Sequence, residues 1–332
     1  MISFRYIGET HHLKESEKKY FPSSKLYEDT NRSTLVSITN SILGGEDWLK
    51  SVNTFIPQGT WLNSIITSKK RSFFFDKILP IKNKIILDIG AGWGQSTIPL
   101  AKENIVCAIE PNDAKLDFIQ AVAYQKQLTR KICCLGANFL DIDFETNFDV
   151  ILSIGVLEWV NKFYNGNQRE DPQSLFLSKC RESLSKSGKL IVGIENRLGL
   201  KYLLGVNDDH IGVPSIACLE KSLAKKRFHE NFKKELHSFT YSYEEYNEIF
   251  HLAGFKDITF YAALPDYKLP EVVVPISEFN NYICKNKIIA EHDGSNGSSL
   301  KNNEELFSLY QSFAKMNVAH YLVPSFFIVA SL

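Results

Sequence analysis

Asp88-Ile89-Gly90-Ala91-Gly92-Trp93-Gly94 follows the apolar run Ile85-Ile86-Leu87 and carries the strongest chemical signal in the chain. Glycines at 90, 92 and 94 let the backbone turn sharply and approach a ligand without Cβ clashes. Glu110, 22 residues after Asp88, closes a second apolar run. A carboxylate at such a strand end accepts both hydroxyls of a ribose through charge-assisted hydrogen bonds. Together the turn and the acid describe a nucleoside-type site. Glu110 alone does not say which nucleoside cofactor, because nicotinamide sites use the same acid. The glycine spacing is more selective: a dinucleotide fingerprint needs a third glycine at position 95, and that residue is Gln95.

These residues need a scaffold that delivers them to one edge. From residue 85 strand and helix signals alternate: strands at 85–88, 105–110, 131–136, 148–154 and 190–195, with helices at 95–103, from Asn112 onward, and at 172–186. The second strand is almost continuously apolar, as expected for a parallel strand covered on both faces. Asn112 is placed to cap a helix that sets Leu116, Ile119 and Ala123 on one side. Such a series implies a doubly wound parallel sheet that binds ligands at the strands' carboxyl ends. Residues 197–240 carry no strand signal and read as an insertion. Ser242-x-x-Glu245 is a capping box for a helix with Tyr246, Ile249, Phe250 and Ala253 on one face, ending at Gly254. Strands at 258–263 and 326–330 close the chain, with a second long insertion between them. Within it, residues 293–303 are polar and rich in Gly and Ser, and 304–316 read as a helix. A helix at 60–78 leads into the first strand, and no internal repeat is present.

The turn resembles the first motif of class I S-adenosylmethionine (SAM) methyltransferases. Ser153-Ile154-Gly155-Val156-Leu157-Glu158-Trp159 resembles that family's segment after the fourth strand. The resemblance covers residues 80–264 and the last strand, and it implies SAM as cofactor, with S-adenosylhomocysteine as product. It also implies a Rossmann-like α/β fold: a seven-stranded, mostly parallel sheet with helices on both faces and an antiparallel closing pair. The domain organisation expected is an N-terminal helical extension over 1–80, a core over 81–264 plus 322–332, and insertions at 197–240 and 265–321 forming a lid over the acceptor. Carried over onto this sequence, the cofactor residues are Asp88, Gly90, Ala91, Gly92, Trp93, Gly94, Glu110, Pro111, Asn138, Phe139, Ser153 and Gly155. Asp88 holds the loop and the methionine end of SAM, and Asn138 lies near the adenine amino group. Trp93 and Trp159 are equally readable as pocket walls and as packing.

The fold is silent about the acceptor, because it serves many. Methyltransferases acting on base amines or glutamine amides carry [DNS]-P-P-[YFW] after the fourth strand, where this chain has Ser-Ile-Gly-Val. Glu195-Asn196-Arg197-x-Gly199-x-Lys201-Tyr202, then Asp208-Asp209-His210, and later Pro265-Asp266-Tyr267-Lys268 resemble bacterial methyltransferases of lipopolysaccharide and other surface-polysaccharide pathways. Both segments leave the carboxyl ends of strands. They make Glu195, Asn196, Arg197, Asp208, Asp266, Tyr267 and Lys268 the candidate acceptor residues for a small molecule or glycan. The same residues also read as turn caps and ion pairs, with Arg197 and Asp208 as one such pair. Methyl transfer is an in-line displacement in which alignment dominates. A hydroxyl acceptor also needs a base, for which His210 is the first candidate and Glu158 the second.

Composition narrows the alternatives. The 332 residues contain 38 basic and 38 acidic side chains, so no nucleic-acid partner is expected. No apolar run approaches the ~18–20 residues that span a bilayer, and residues 1–20 lack a signal-peptide core. The six cysteines form no C-x-x-C pair, which points to reduced core thiols in the cytoplasm and to no metal site. Residues 221–234 are rich in Lys and Arg and read either as a solvated helix face or as an attractor for a phosphorylated glycan. A tailoring methyltransferase of secondary metabolism, a SAM-binding module without turnover and, more distantly, a nicotinamide dehydrogenase stay open. The sequence does not fix the oligomeric state.

Overall fold

The computed structural model describes residues 1–23, 27–164, 166, 171–286 and 303–332. They form two compact units, Met1–Ile154 with Lys179–Leu190, and Gly155–Ser178 with Ile191–Leu332.

The first unit contains β1 (Ile2–Tyr6), β2 (Glu9–Leu13), β3 (Lys18–Tyr20), β4 (Ile85–Ile89), β5 (Ile105–Ile109), β6 (Ile132–Gly136), β7 (Ile142–Phe144) and β8 (Phe148–Ile154). The next strand, β9 (Leu184–Glu195), gives residues 184–190 to this unit and 191–195 to the other. The hydrogen-bonded order here is β9-β8-β4-β5-β6-β3, and β4 pairs in parallel with both β5 and β8. Apart from their first residues, β4 and β5 are buried throughout, which accounts for their unbroken apolar runs. A small antiparallel sheet, β2-β1-β7, stands apart.

In the second unit β10 (Asp257–Leu264) lies between β11 (Val272–Pro275) and β12 (Ser325–Ser331), antiparallel to both, in the order β11-β10-β12-β9. The antiparallel closing pair expected from sequence is β10 and β12. Two short edge strands, β3 and β11, extend the sheet beyond the seven expected.

The first 80 residues hold the helices Arg32–Leu43, Trp48–Phe55, Trp61–Thr67 and Phe73–Ile78, but also β1–β3, which a purely helical extension does not contain. The β1–β2 hairpin turns at Ile7 and Gly8, both at positive φ, and buries Ile2, Phe4 and Leu13 on one face. The single helix expected at 60–78 breaks at Ser68, whose extended backbone frees its hydroxyl to accept from the Lys70 amide. The helix expected at 95–103 is only Thr97–Leu100, because the Lys102 and Glu103 amides turn back to Pro99 and Leu100. The helix Pro172–Glu182 stops earlier than its pattern suggested. The Ser183 carbonyl accepts from the Phe148 amide, and the chain enters β9 at once.

In the second unit the helix Tyr243–Leu252 starts with both hydrogen bonds of the Ser242/Glu245 capping box and buries Tyr246 and Phe250. Residues 197–240 contain two helices, Leu200–Leu203 and Lys221–Phe232, and no strand among the described residues. They pack around Ile216, Ala224, Leu236 and Phe239. The expected helix near 304–316 is Asn303–Lys315, and the Gly/Ser-rich stretch before it lies outside the described residues.

Candidate active site

The glycine turn is held by the strand ends beside it. The Gly90 and Ala91 amides both donate to the Ile109 carbonyl at the end of β5, at 2.9 and 3.1 Å. Gly90, Gly92 and Gly94 all have positive φ. A Cβ on Gly94 would lie 2.9 Å from Ile119 Cγ1, so helix and turn approach each other as only glycine allows. Glu110 is buried, and its carboxylate accepts from the Gly92 amide at 3.1 Å and the Asn112 amide at 3.0 Å. It therefore ties the turn to the start of the helix Asp113–Gln125. Pro111 follows it, half-buried.

Asp88, at the end of β4, accepts from the Thr97 hydroxyl at 2.6 Å. Burial raises its pKa to about 6, against the lowering effects of the Thr97 hydroxyl and Arg71. Burial likewise raises Glu110, partly offset by the Lys115 ammonium. Trp93 is buried edge-on to Phe118, and its indole donates to Asp29 at 3.0 Å. Lys115 donates to the same Asp29 oxygen at 3.1 Å. Asp29, Lys115 and Thr97 were not among the residues expected from sequence. Lys115 and Thr97 sit inside the recognised helices, but Asp29 comes from a segment with no motif. Asn138 accepts from the Leu140 amide and so starts a short 3-10 turn, and Phe139 is buried against Phe144. The Ser153 hydroxyl is buried and has no hydrogen-bond partner among the described residues.

In the second unit Glu158, Glu195 and His210 converge. Glu195 is the last residue of β9, Glu158 lies on the short 3-10 turn Leu157–Trp159, and His210 follows the helix Leu200–Leu203. His210 Nε2 stands 3.6 Å from Glu158 Oε1 and 3.6 Å from Glu195 Oε2, while its Nδ1 faces Asp208 at 3.6 Å. Side-chain exposure is 5 % for His210, 1 % for Glu158 and 0 % for Glu195. The Tyr267 phenol donates to Glu158 Oε1 at 3.3 Å. Lys268 donates to Glu195 Oε1 and, at 3.2 Å, to Asp209, which also receives Lys201 at 2.8 Å and the Tyr202 hydroxyl at 3.0 Å. Trp159 packs edge-on against His210, with ring centroids 5.0 Å apart. Beneath this layer, Gly155 has φ +73°, and a Cβ there would lie 2.9 Å from the Tyr267 oxygen.

The charges follow from these contacts. Burial alone would lower the His210 pKa, but Glu195, Asp208 and Glu158 outweigh it and hold the imidazole well above its ordinary value. Burial raises Glu195 despite Lys268 and His210. Burial would also raise Asp209, yet Lys268 and Lys201 pull it well below the carboxylate range.

The second unit thus gathers Glu195, Asp208, Asp266, Tyr267 and Lys268 with His210 and Glu158. Asp266 accepts from the Lys268 amide and lies 3.5 Å from its ammonium. Asn196 and Arg197 are engaged elsewhere. Asn196 donates to the Tyr321 and Val323 carbonyls, both at 2.8 Å. Arg197 forms a two-pronged pair with Glu245, at 2.6 and 3.0 Å, so the expected pairing with Asp208 gives way to one with the capping-box acid. Asp209, unassigned from sequence although it lies in the Asp208-Asp209-His210 run, is the hub of the lysine contacts.

Residues 87–192, from β4 to β9, match the family model described as methyltransferase domain. This segment is a methyltransferase domain. Its cofactor is SAM, and the residues at the β4 and β5 ends suit that molecule. Glu110 stands at the β5 end, and the Ser153 hydroxyl is buried without a partner among the described residues. The methyltransferase domain is similar to ubiquinone biosynthesis O-methyltransferases, at 28% identity over 131 residues for the Coxiella burnetii protein and 29% over 122 for that of Rickettsia conorii. These matches cover 39% and 36% of this chain and 51% and 38% of the relatives, so the chain spans about half the length, or less, of the curated relatives it matches. Among solved structures, phosphoethanolamine N-methyltransferase 2 of Haemonchus contortus in complex with SAM aligns with TM-score 0.45 and 17% identity, over 88% of this chain and 57% of that one. A possible histamine N-methyltransferase of Thermotoga maritima aligns with TM-score 0.41 and 19% identity, over 69% and 91%. Among the described residues no helix is long and apolar enough to cross a membrane.

Proposed function

We propose that the chain is a SAM-dependent O-methyltransferase whose acceptor is a hydroxyl of a sugar or glycan, of the kind built into bacterial surface polysaccharides. SAM supplies a methyl group on a sulfonium that leaves as a neutral thioether. The acceptor oxygen forms the new C–O bond as the C–S bond breaks, and its proton passes to a carboxylate of the Glu158–Glu195–His210 cluster. Of the two expected bases, His210 is flanked by the carboxylates of Glu158, Glu195 and Asp208, which raise its pKa and favour Glu158 as the proton's acceptor.

The observation that carries this reading is the buried cluster itself, dense in ionisable groups and fed by both insertions: His210 from 197–240, Tyr267 and Lys268 from 265–321. Buried polar groups of that density suit a polyhydroxylated acceptor, which can satisfy them, better than an apolar ring. The names of the relatives, O-methyltransferases of ubiquinone biosynthesis, support a hydroxyl acceptor and favour a second reading in which it belongs to a small molecule such as a phenol. The six cysteines, all unpaired, support a cytoplasmic enzyme.

Calorimetry with SAM and NADH tests the donor. SAM binds and Glu110→Ala weakens it at least tenfold; a response to NADH alone would overturn the assignment. Transfer of radiolabelled methyl from SAM is then screened over nucleotide sugars, glycan fragments and simple phenols. Label on a sugar hydroxyl supports the first reading, label on phenols alone the second, and label on neither removes turnover from the proposal.

A further inference from the structure

Each of the three clustered residues has one side-chain atom held from outside and another with no hydrogen-bond partner among the described residues. Glu158 Oε1 takes the Tyr267 phenol while Oε2 has none. Glu195 Oε1 takes Lys268 while Oε2 has none. His210 Nδ1 faces Asp208 while Nε2 has none. One donor atom from each residue lies within 4.8 Å of the others. At 3.6 Å the imidazole–carboxylate separations are too long for hydrogen bonds. They do match two ligands that both lie about 2.0–2.2 Å from a shared centre. The distance to Glu195 ends on its unpartnered Oε2, and that to Glu158 on the Oε1 that Tyr267 also reaches. Buried polar atoms left without partners are costly.

We propose that Glu158, Glu195 and His210 form a binding site for one divalent first-row cation. This inference rests on the reading of the cluster as the acceptor's site and deepens it: the cation would bind the acceptor oxygen and make its proton easier to remove. The contacts around the three residues are those that orient metal ligands. A carboxylate stands behind the imidazole, a phenol fixes one glutamate and an ammonium fixes the other. The surrounding charge favours a cation, with the five carboxylates of Glu158, Glu195, Asp208, Asp209 and Asp266 set against His210, Lys201 and Lys268 among the described residues. Two carboxylates and an imidazole suit manganese or zinc better than a soft-ligand metal. A cation and a proton compete for the imidazole lone pair. The sequence showed none of this, because the three ligands stand at 158, 195 and 210 with no local spacing pattern.

The test uses the full chain, stripped with a chelator and titrated with Mn2+ alone while free Mn2+ is followed by electron paramagnetic resonance. One Mn2+ per chain is expected. Glu195→Gln and His210→Ala abolish that site, with folding checked by circular dichroism. Asp208→Asn, which leaves all three ligands in place, weakens it about 10- to 100-fold. Equal Mn2+ binding by the wild type and by folded His210→Ala overturns the inference, as does no binding at all. Undiminished methyl transfer by chelator-stripped protein that binds no Mn2+ removes the metal but leaves the methyltransferase reading standing. Tight Mn2+ binding without transfer to any acceptor does the reverse.

Discussion

The Tyr267 phenol donates its hydrogen to Glu158 Oε1 at 3.3 Å, and both residues are fully buried. Gly155 leaves the space that this phenol oxygen occupies. Tyr267→Phe keeps the ring but leaves that carboxylate oxygen unpaired. It is expected to destabilise the protein by about 1–3 kcal/mol in urea unfolding. Turnover of methyl groups should fall while SAM affinity, measured by calorimetry, stays unchanged. A parallel loss of SAM binding would show that Tyr267 acts through general folding instead.

Gly94 is the tightest point of the donor turn. With φ +75° and Ile119 Cγ1 only 2.9 Å from a would-be Cβ, Gly94→Ala strains the backbone and displaces the helix below it. The left-handed conformation alone costs an alanine about 1–2 kcal/mol. SAM affinity is expected to drop at least tenfold in calorimetry, and Ile119→Ala in the same chain should recover part of the loss by removing the Cγ1 that the new methyl meets.

Asp88 gives a pH signature. Its folded pKa of about 6 lies above the ordinary 3.8, so folding favours the protonated acid. The ionised acid therefore costs stability as pH rises through the window from about 4 to 6, by roughly 3 kcal/mol once it is fully ionised. Below that window both states are protonated and the penalty vanishes. Asp88→Asn keeps an acceptor for the Thr97 hydroxyl and carries no charge. Urea unfolding should show the variant gaining on the wild type between pH 4 and 7, and identical pH dependence in the two proteins would refute the assignment.

Lys268 is the shared cation of Glu195 and Asp209. Lys268→Met leaves both carboxylates short of a partner in a buried setting, and breaking such a pair costs about 3–5 kcal/mol. Unfolding should report that loss, and the melting temperature should recover partially in Lys268→Met/Glu195→Gln. The absence of any coupling between the two substitutions would show that the ion pair contributes nothing.

The glycine turn's geometry was legible in the sequence because one continuous segment encodes it: strand, acid, glycines and helix follow in order, and Glu110 follows the next strand. Asn112, Ser242 and Glu245 announced their caps for the same reason, since capping is local chemistry. Asp29 was invisible because its partners Trp93 and Lys115 are distant in the chain. Arg197 was placed opposite the wrong acid because sequence proximity to Asp208 says nothing about the position of the Tyr243–Leu252 helix. The strands β1 and β3 were missed because they are short and pair with β7 and β6, which come from far along the chain.

The Glu158 backbone carbonyl accepts the Phe239 amide at 3.0 Å, and the Gln173 amide nitrogen reaches the Leu157 and Phe239 carbonyls, both at 3.0 Å. The end of the 197–240 insertion is thus stitched to the turn that bears Glu158. Replacing that insertion with another protein's would therefore remove His210 and leave the Glu158 turn without the Phe239 amide that it accepts. A chimaera that keeps these hydrogen bonds has to carry the Leu157–Glu158 turn and Gln173 along with the loop, so this region is exchangeable as a block rather than loop by loop.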